Sequence, residues 1–343
     1  MFKFKAQTAT KPVLFPTSDI SVLNISRLQD EIRDDYIVTM PPNFVLETLI
    51  KKRKFYASLM EKQVPHPHTA FLGNGDLGKN VKNMDFPVLV KPSVSQIFSI
   101  QFGRKAFIAN SNQELIKYLK LTKKHGIDVM IQEIVSGPPS NNYALDGYFD
   151  RHGRLVAFFP RRVLRIWPIS LGLSSACVSV SLSKVFDMKE TTERYLTYIG
   201  YRGIFNAHFK VDSHDGIPKL LEVNARSVGG GGVANTFPTA CGVNFILTAY
   251  LDALGENITP TSTYKTNACV LNSKNEIMWI FTMAAQRKFS LREWLSTTAG
   301  KEKHWTHWAR DDVKPFVASY LALAADVVKH RDKISERARE TEL

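Results

Sequence analysis

The sequence predicts a mixed α/β (α+β) chain, and three observations carry that reading. Apolar strand-like runs bounded by Gly, Pro, Asn and Asp clusters alternate with amphipathic helical stretches, and no repeat period links them. The 343 residues suffice for about two or three packed subdomains. At 44% hydrophobic and 22% charged residues the chain can bury a core, which excludes wholesale disorder.

The elements follow in order. Val13-Leu14-Phe15 is the first apolar segment, and Ser18 or Asp19 caps a helix over Ile20–Ile32. Residues 44–63 read as one helix with Val45, Leu46, Leu49, Ile50, Phe55, Leu59 and Met60 at apolar positions. It stops at Val64-Pro65-His66-Pro67, because each proline drives its predecessor out of the helical region. Phe86–Pro92 is a buried strand carrying Lys91 near its end, and Lys105–Ala109 is a second strand. A helix then starts at Ser111 or Asn112, with Glu114 behind it. Val129–Val135 is a strand that runs into Ser136-Gly137-Pro138-Pro139. Tyr143–Phe149 with Leu155–Phe159 forms a hairpin, Glu190–Ile199 a helix, and Gly203–Val211 with Lys219–Asn224 a second hairpin. Residues 241–254 are helical, and a tryptophan-rich helical tail follows residue 260. Gly73-Asn74-Gly75-Asp76-Leu77-Gly78 matches G-x-G-x-x-G but has no amphipathic helix behind it to hold a pyrophosphate, so it reads as a loop.

Composition narrows the partners. Lys+Arg 45 against Asp+Glu 32 gives +13, which favours nucleotides and phosphorylated or carboxylate ligands. The basic residues are scattered, without an Arg/Gly tract or basic helix, so nucleic acid is the lesser expectation. Cys177, Cys241 and Cys269 are too few and too widely spaced for a disulfide framework or a zinc ribbon. No apolar run approaches the roughly 20 residues of a membrane span, and no apolar h-region follows the basic start Met1–Lys5. A cytoplasmic chain without membrane contact is the expectation.

The chemistry concentrates in Leu221-Glu222-Val223-Asn224-Ala225-Arg226. On a strand, Glu222, Asn224 and Arg226 share one face while Leu221, Val223 and Ala225 share the other. A carboxylate, an amide oxygen and a guanidinium together suit a magnesium–phosphate centre. The partner strand offers Asn206, His208 and Lys210 on one face, so His208 approaches Glu222. A solvent-facing hairpin would show the same alternation. The run Gly229–Gly232 directly beyond Arg226 argues for close approach to a ligand instead.

Taken in order, these pieces resemble the ATP-grasp ligases. Lys51-Lys52-Arg53-Lys54-Phe55-Tyr56 and the Val64–Thr69 exit are similar to the lysine helix of that family and the turn behind it. Phe86–Pro92, the hinge Ile131–Gly137, Gly200-Tyr201-Arg202-Gly203 and Leu221–Arg226 match four further motifs in the family's order. Phe149-Asp150, Arg161–Arg165 and Phe289–Trp294 resemble most the carboxylate–amine ligases related to D-aspartate ligase and carbamoyl-phosphate synthase. The resemblance covers residues 13 to 325 and implies ATP bound between two α+β subdomains.

It further implies a shortened N-terminal subdomain over 1–50 and a small subdomain with the lysine helix over 51–135. A large subdomain with the metal and phosphate site covers 136–260, and a helical C-terminal segment covers 261–343. By this resemblance Lys52 and Lys91 hold the α- and β-phosphates, and Gln132, Glu133, Ile134 and Val135 line the adenine pocket. Glu222, Asn224 and His208 hold Mg²⁺, with Mn²⁺ as a substitute that accepts the histidine nitrogen more readily. His208 also counts among the nucleotide contacts, and Arg226, Lys91 and Arg165 among the catalytic residues. The reaction implied activates a small carboxylate as an acyl phosphate and passes it to an amine, both substrates being amino-acid-like in character. Three positions depart from the family pattern: Lys51 replaces an aspartate, Ser93–Ser99 replaces a glycine-rich phosphate loop, and His208 replaces an acidic or amide ligand. These departures leave a non-catalytic nucleotide-binding scaffold as the second reading. The short N-terminus leaves strands absent or supplied by a second chain, so a homodimer is also an expectation.

Overall fold

In a computed structural model the described residues are 11–72, 84–93, 95–169, 172–227, 233–261, 263–306 and 308–329. The loop Gly73–Gly78 and the run Gly229–Gly232 lie outside them.

The N-terminal segment is a small parallel pair, β1 (Val13–Leu14) and β2 (Ile37–Val38), joined through α1 (Asp19–Arg27) and α2 (Gln29–Ile32). Ser18 caps α1 as expected, its hydroxyl accepting from Ser21 N–H. The single helix expected over 44–63 is instead two, α3 (Asn43–Ile50) and α4 (Lys52–Glu61). Lys51 is extended between them, at φ −81° and ψ 101°. The break lets the Lys52 amide donate to Ser93 O at 3.2 Å, a partner distant in sequence that periodicity cannot reveal.

Four antiparallel strands form the smaller sheet, in the order β3 (Thr69–Phe71), β6 (Val129–Glu133), β4 (Val88–Pro92), β5 (Phe107–Ala109). Helices α5 (Ser95–Phe102) and α6 (Asn112–Lys124) accompany it, the latter capped by Ser111 as the sequence predicts. Phe98, Phe107, Val88, Val90 and Ile131 are its core. Within the segment Ser93–Ser99, which stands where the family has its phosphate loop, Ser95–Ser99 is thus helical.

The larger sheet has seven strands in the order β11-β10-β7-β8-β9-β12-β13. They are β7 (Asn142–Phe149), β8 (Leu155–Trp167), β9 (Leu173–Ser179), β10 (Gly203–Val211), β11 (Pro218–Asn224), β12 (Ala268–Leu271) and β13 (Glu302–Trp305). Strand β8 runs eight residues past the expected end at Phe159, through Pro160, although proline removes a ladder donor. The tail after 260 contributes two strands as well as helices, which corrects its reading as purely helical. Helix α7 (Phe186–Tyr198) packs on one face with α3 and α4, burying Phe205, Ala207, Phe209, Leu220 and Val223. Helices α8 (Val233–Ala240) and α9 (Phe245–Ala253) cover part of the other face. The last helices are α10 (Ser273–Ala285), α11 (Leu291–Ser296) and α12 (Lys314–Lys329). Among the described residues no helix is long and apolar enough to cross a membrane.

The two sheets are tied along the β10–β11 hairpin. Lys219 Nζ donates to Glu133 Oε1 of β6 at 2.8 Å and to Asp212 Oδ2 at 2.7 Å. Asp212 also accepts from Ser136 Oγ and the His214 amide. Burial alone would raise the Asp212 carboxyl, but these donors outweigh it and bring the pKa to about 2. Its folded value lies below the unfolded one, so its stabilisation is complete above the unfolded pKa and lost as pH falls through the folded one. Asp212→Asn should therefore cost roughly 2 kcal/mol at pH 6 in urea unfolding. That deficit should close as both proteins are taken from about pH 4 down to 2. Equal stabilities at pH 6 would rule out Asp212 as the anchor of this turn.

Candidate functional site

The site forms where the start of α4 and the end of β4 face the edge strand β11. Lys52 stands at the first position of α4 because the chain breaks at Lys51, and its Nζ lies 3.7 Å from Glu222 Oε2. Lys91 projects from β4 and donates to Tyr56 Oη and Gln132 Oε1, each at 3.1 Å. Lys105, in the segment before β5, adds positive potential at both Glu222 and Lys52.

Three ammonium groups thus act electrostatically on one carboxylate, with Lys52 in direct contact. Desolvation lowers the pKa of Lys52 and of Lys91, since both charged forms leave water. Glu222 responds in the opposite sense. Burial would raise its pKa, but Lys52, His208, Lys91 and Lys105 together pull it down to about 2. Its side chain remains 45% exposed, open to the cleft.

The hairpin register places His208 opposite Glu222 and Asn206 opposite Asn224, on the shared polar face expected from the sequence. That face continues inward across two more strands. Asn206 Nδ2 donates to Asp146 Oδ1 of β7, and Arg161 of β8 donates to Asp146 Oδ2 at 2.9 Å. Asp146 only accepts, so the Asn206 amide is oriented with Oδ1 towards His208 Nε2. His208 therefore carries its proton on Nε2 in the neutral ring, leaving Nδ1 with the free lone pair. Burial lowers the His208 pKa, although Glu222 opposes the shift, which favours that neutral ring. Asn224 Nδ2 joins Asn206 Oδ1, and Arg226 Nη2 reaches Asn224 Oδ1, each at 3.3 Å. Arg226 Nε donates to Asp19 Oδ1 at 2.6 Å, which ties the strand end to the first turn of α1.

A shallow, open depression lies beside Arg226, between the N-terminal segment and the start of β10. Phe15, Pro16, Met40, Arg202 and Gly203 line it. Gly203 has φ +102°, and a Cβ there would lie 3.1 Å from Thr39 O. Glycine permits both the backbone conformation and this close approach.

Lys52, Lys91, Glu222, Asn224, Arg226 and His208 are therefore brought together. The hinge residues behave differently. Gln132 is buried, its amide held between Lys91 and Thr69, and the Glu133 carboxylate is taken by Lys219. Ile134 and Val135 follow the end of β6.

Arg165 is a correction. It is buried, donating to Glu276 Oε1 of α10 at 2.7 Å and to Thr297 Oγ1 at 2.6 Å, with its guanidinium 5.3 Å from the Trp279 ring. Trp294 Nε1 donates to the same carboxylate oxygen. Arg165 pins the C-terminal helices to β8 and is unavailable for catalysis. Sequence reasoning also passed over Tyr56, Asp146 and Arg161. The signal for the last two was a carboxylate and a guanidinium inside strands otherwise rich in apolar residues, where charges persist only when paired.

No protein-family model and no curated protein matches the chain. Solved structures do. The biotin carboxylase–β,γ-ATP complex from Campylobacter jejuni aligns over 75% of this chain and 57% of that one, at 17% identity and TM-score 0.59. The biotin carboxylase domain of Hydrogenobacter thermophilus 2-oxoglutarate carboxylase, in complex with MgADP and bicarbonate, covers 72% and 54% at 17% identity and TM-score 0.56. Phosphoribosylglycinamide synthetase from Anaerococcus prevotii covers 74% and 61% at 15% identity and TM-score 0.53. The chain spans little more than half the length of these proteins. Its fold is the ATP-grasp fold.

Arg165→Met should cost about 3–5 kcal/mol in urea unfolding, because it strands the buried Glu276 carboxylate. Adding Glu276→Leu should recover most of that loss, since a buried pair replaced by apolar groups is often neutral. A single variant as stable as the parent would remove Arg165 from the fold's supports.

Proposed function

We propose that the chain binds ATP with Mg²⁺ in the cleft between its sheets and uses it to join a small carboxylate to an amine. The observation that carries this reading is the cluster of Lys52, Lys91 and Lys105 around Glu222, with Asn224 and Arg226 on the same face. Three like charges converging on one carboxylate leave a net positive cleft, which a polyphosphate completes.

The donor set fits magnesium shared with phosphates. Among the described residues no three His, Cys, Asp or Glu side chains form a cage. Glu222 supplies one open carboxylate, Asn224 an amide oxygen and His208 a bare nitrogen, and Mg²⁺ is commonly held by one or two carboxylates plus substrate phosphates and water. When bound, the ion would neutralise charge on the transferred phosphoryl group.

On this reading Lys52 and Lys91 grip the phosphates, the backbone at Ile134 and Val135 lines the adenine, and Arg226 faces the reacting carboxylate from the hollow beside it. The substrate carboxylate attacks the γ-phosphorus and the bond to ADP breaks, giving an acyl phosphate. The amine then displaces inorganic phosphate and forms the amide. No protein nucleophile is needed; the protein's work is positioning and charge stabilisation. Amino-acid-like substrates suit a site with two arginines, Arg226 and Arg202, at its edge.

A second reading, a nucleotide-binding scaffold without turnover, is favoured by one feature. Helix α5 occupies the stretch where the family pattern has a flexible, glycine-rich phosphate loop. ADP release with MgATP, screened over carboxylate and amine pairs, separates the two. Under the ligase reading ADP forms only with a substrate pair, and Glu222→Gln abolishes it while melting within a few degrees of the parent. ATP binding with no ADP from any pair would favour the scaffold. Lys91→Ala should weaken ATP binding by about 1.5–3 kcal/mol, the range for one charge-assisted hydrogen bond. An unchanged dissociation constant by titration calorimetry would exclude Lys91 from the site.

A further inference from the structure

Lys91 is held unlike Lys52. Lys52 faces the Glu222 carboxylate, whereas both of Lys91's hydrogen-bond acceptors are neutral. The bonding directions around it follow from donor and acceptor inventory alone. The Tyr56 hydroxyl has one proton, and it lies 2.6 Å from Leu221 O, which can only accept. Its lone pair is therefore what Lys91 Nζ meets. Gln132 Nε2 donates to Thr69 Oγ1 at 2.8 Å, and Thr69 donates onward to Pro67 O at 2.8 Å. That chain turns Gln132 Oε1 towards Lys91. Among the described residues two of the three ammonium protons are thus committed, and the third is left for an anion. Neutral acceptors aim the charge without cancelling it, which a carboxylate would not do.

Tyr56 also joins separate parts of the molecule. It lies four residues beyond Lys52, on the same side of α4, and is fully buried. Lys91 belongs to the smaller sheet, and Leu221 O is the carbonyl immediately before Glu222 in the larger one. We propose that Tyr56, with Gln132, is a positioning residue for Lys91, fixing the ammonium relative to the strand that carries Glu222. The proposal rests on the nucleotide-binding reading above. Burial pushes the Tyr56 phenol up to about 12, so it remains a neutral hydroxyl across the working pH range.

The test is a double-mutant cycle on the full chain, with binding of Mg²⁺ and the non-hydrolysable analogue AMP-PNP measured by calorimetry and stability by urea unfolding. Tyr56→Phe keeps the ring and removes the hydroxyl. It should weaken nucleotide binding roughly 5- to 20-fold, a part of the loss that removing Lys91 itself brings. In a Lys91→Ala background the same change should have almost no further effect. Gln132→Glu keeps an acceptor beside Lys91 but adds a negative charge, and it should also weaken binding. If the parent binds no nucleotide, the binding reading fails and the proposal with it. If the parent binds, Lys91→Ala binds poorly and a folded Tyr56→Phe matches the parent, the proposal alone fails. It fails equally if the Tyr56→Phe and Lys91→Ala losses add, because the tyrosine then acts through the fold at large. Should Tyr56→Phe not fold, unchanged nucleotide affinity in Gln132→Glu overturns the proposal.

Discussion

The candidate site is organised by an excess of positive charge around one carboxylate among the described residues. Lys52, Lys91 and Lys105 act on one carboxylate, Glu222. Desolvation disfavours the first two as cations and lowers their pKa. Such an arrangement costs stability in isolation and would be relieved by an anion beside it. The open Glu222 side chain, the break at Lys51 and the neutral acceptors around Lys91 make sense around that constraint.

Holding these charges requires the two sheets to keep their spacing, and the structure uses short polar ties for this. Helix α4 packs its aromatic face into the core of the larger sheet while Lys52 N–H reaches Ser93 O beside the smaller one. Leu220 N donates to Pro65 O at 2.8 Å, and Lys219 links the hairpin to Glu133. Each is a single bond, but together they cross between the sheets next to Glu222.

Two buried arginines on the same strand illustrate how position decides role. Arg161 meets Asp146 beneath the hairpin and so supports the polar row leading to His208. Arg165, four residues on and past irregularities in the β8–β9 ladder, meets Glu276 instead and anchors the C-terminal helices. Both pairs are almost dry, so neither partner can be removed alone without leaving an uncompensated charge. Only the first lies on the face that carries the site.

Part of the candidate site's geometry was legible before the structure. Alternation on the β10–β11 hairpin put Glu222, Asn224 and His208 on one face, because side chains on a strand change sides at every residue. Ser18 and Ser111 were readable as caps for the same local reason: the hydroxyl bonds an amide three residues away. Tertiary structure alone decided the rest. The split at Lys51, the place of Tyr56 between Lys91 and Leu221 O, and the addition of β12 and β13 to the larger sheet all depend on partners far along the chain. Arg165 was misread because its partner Glu276 lies 111 residues away. Periodicity and capping are set by neighbours within a turn or a pleat, whereas which buried donor meets which acceptor is set by how the sheets and helices come together.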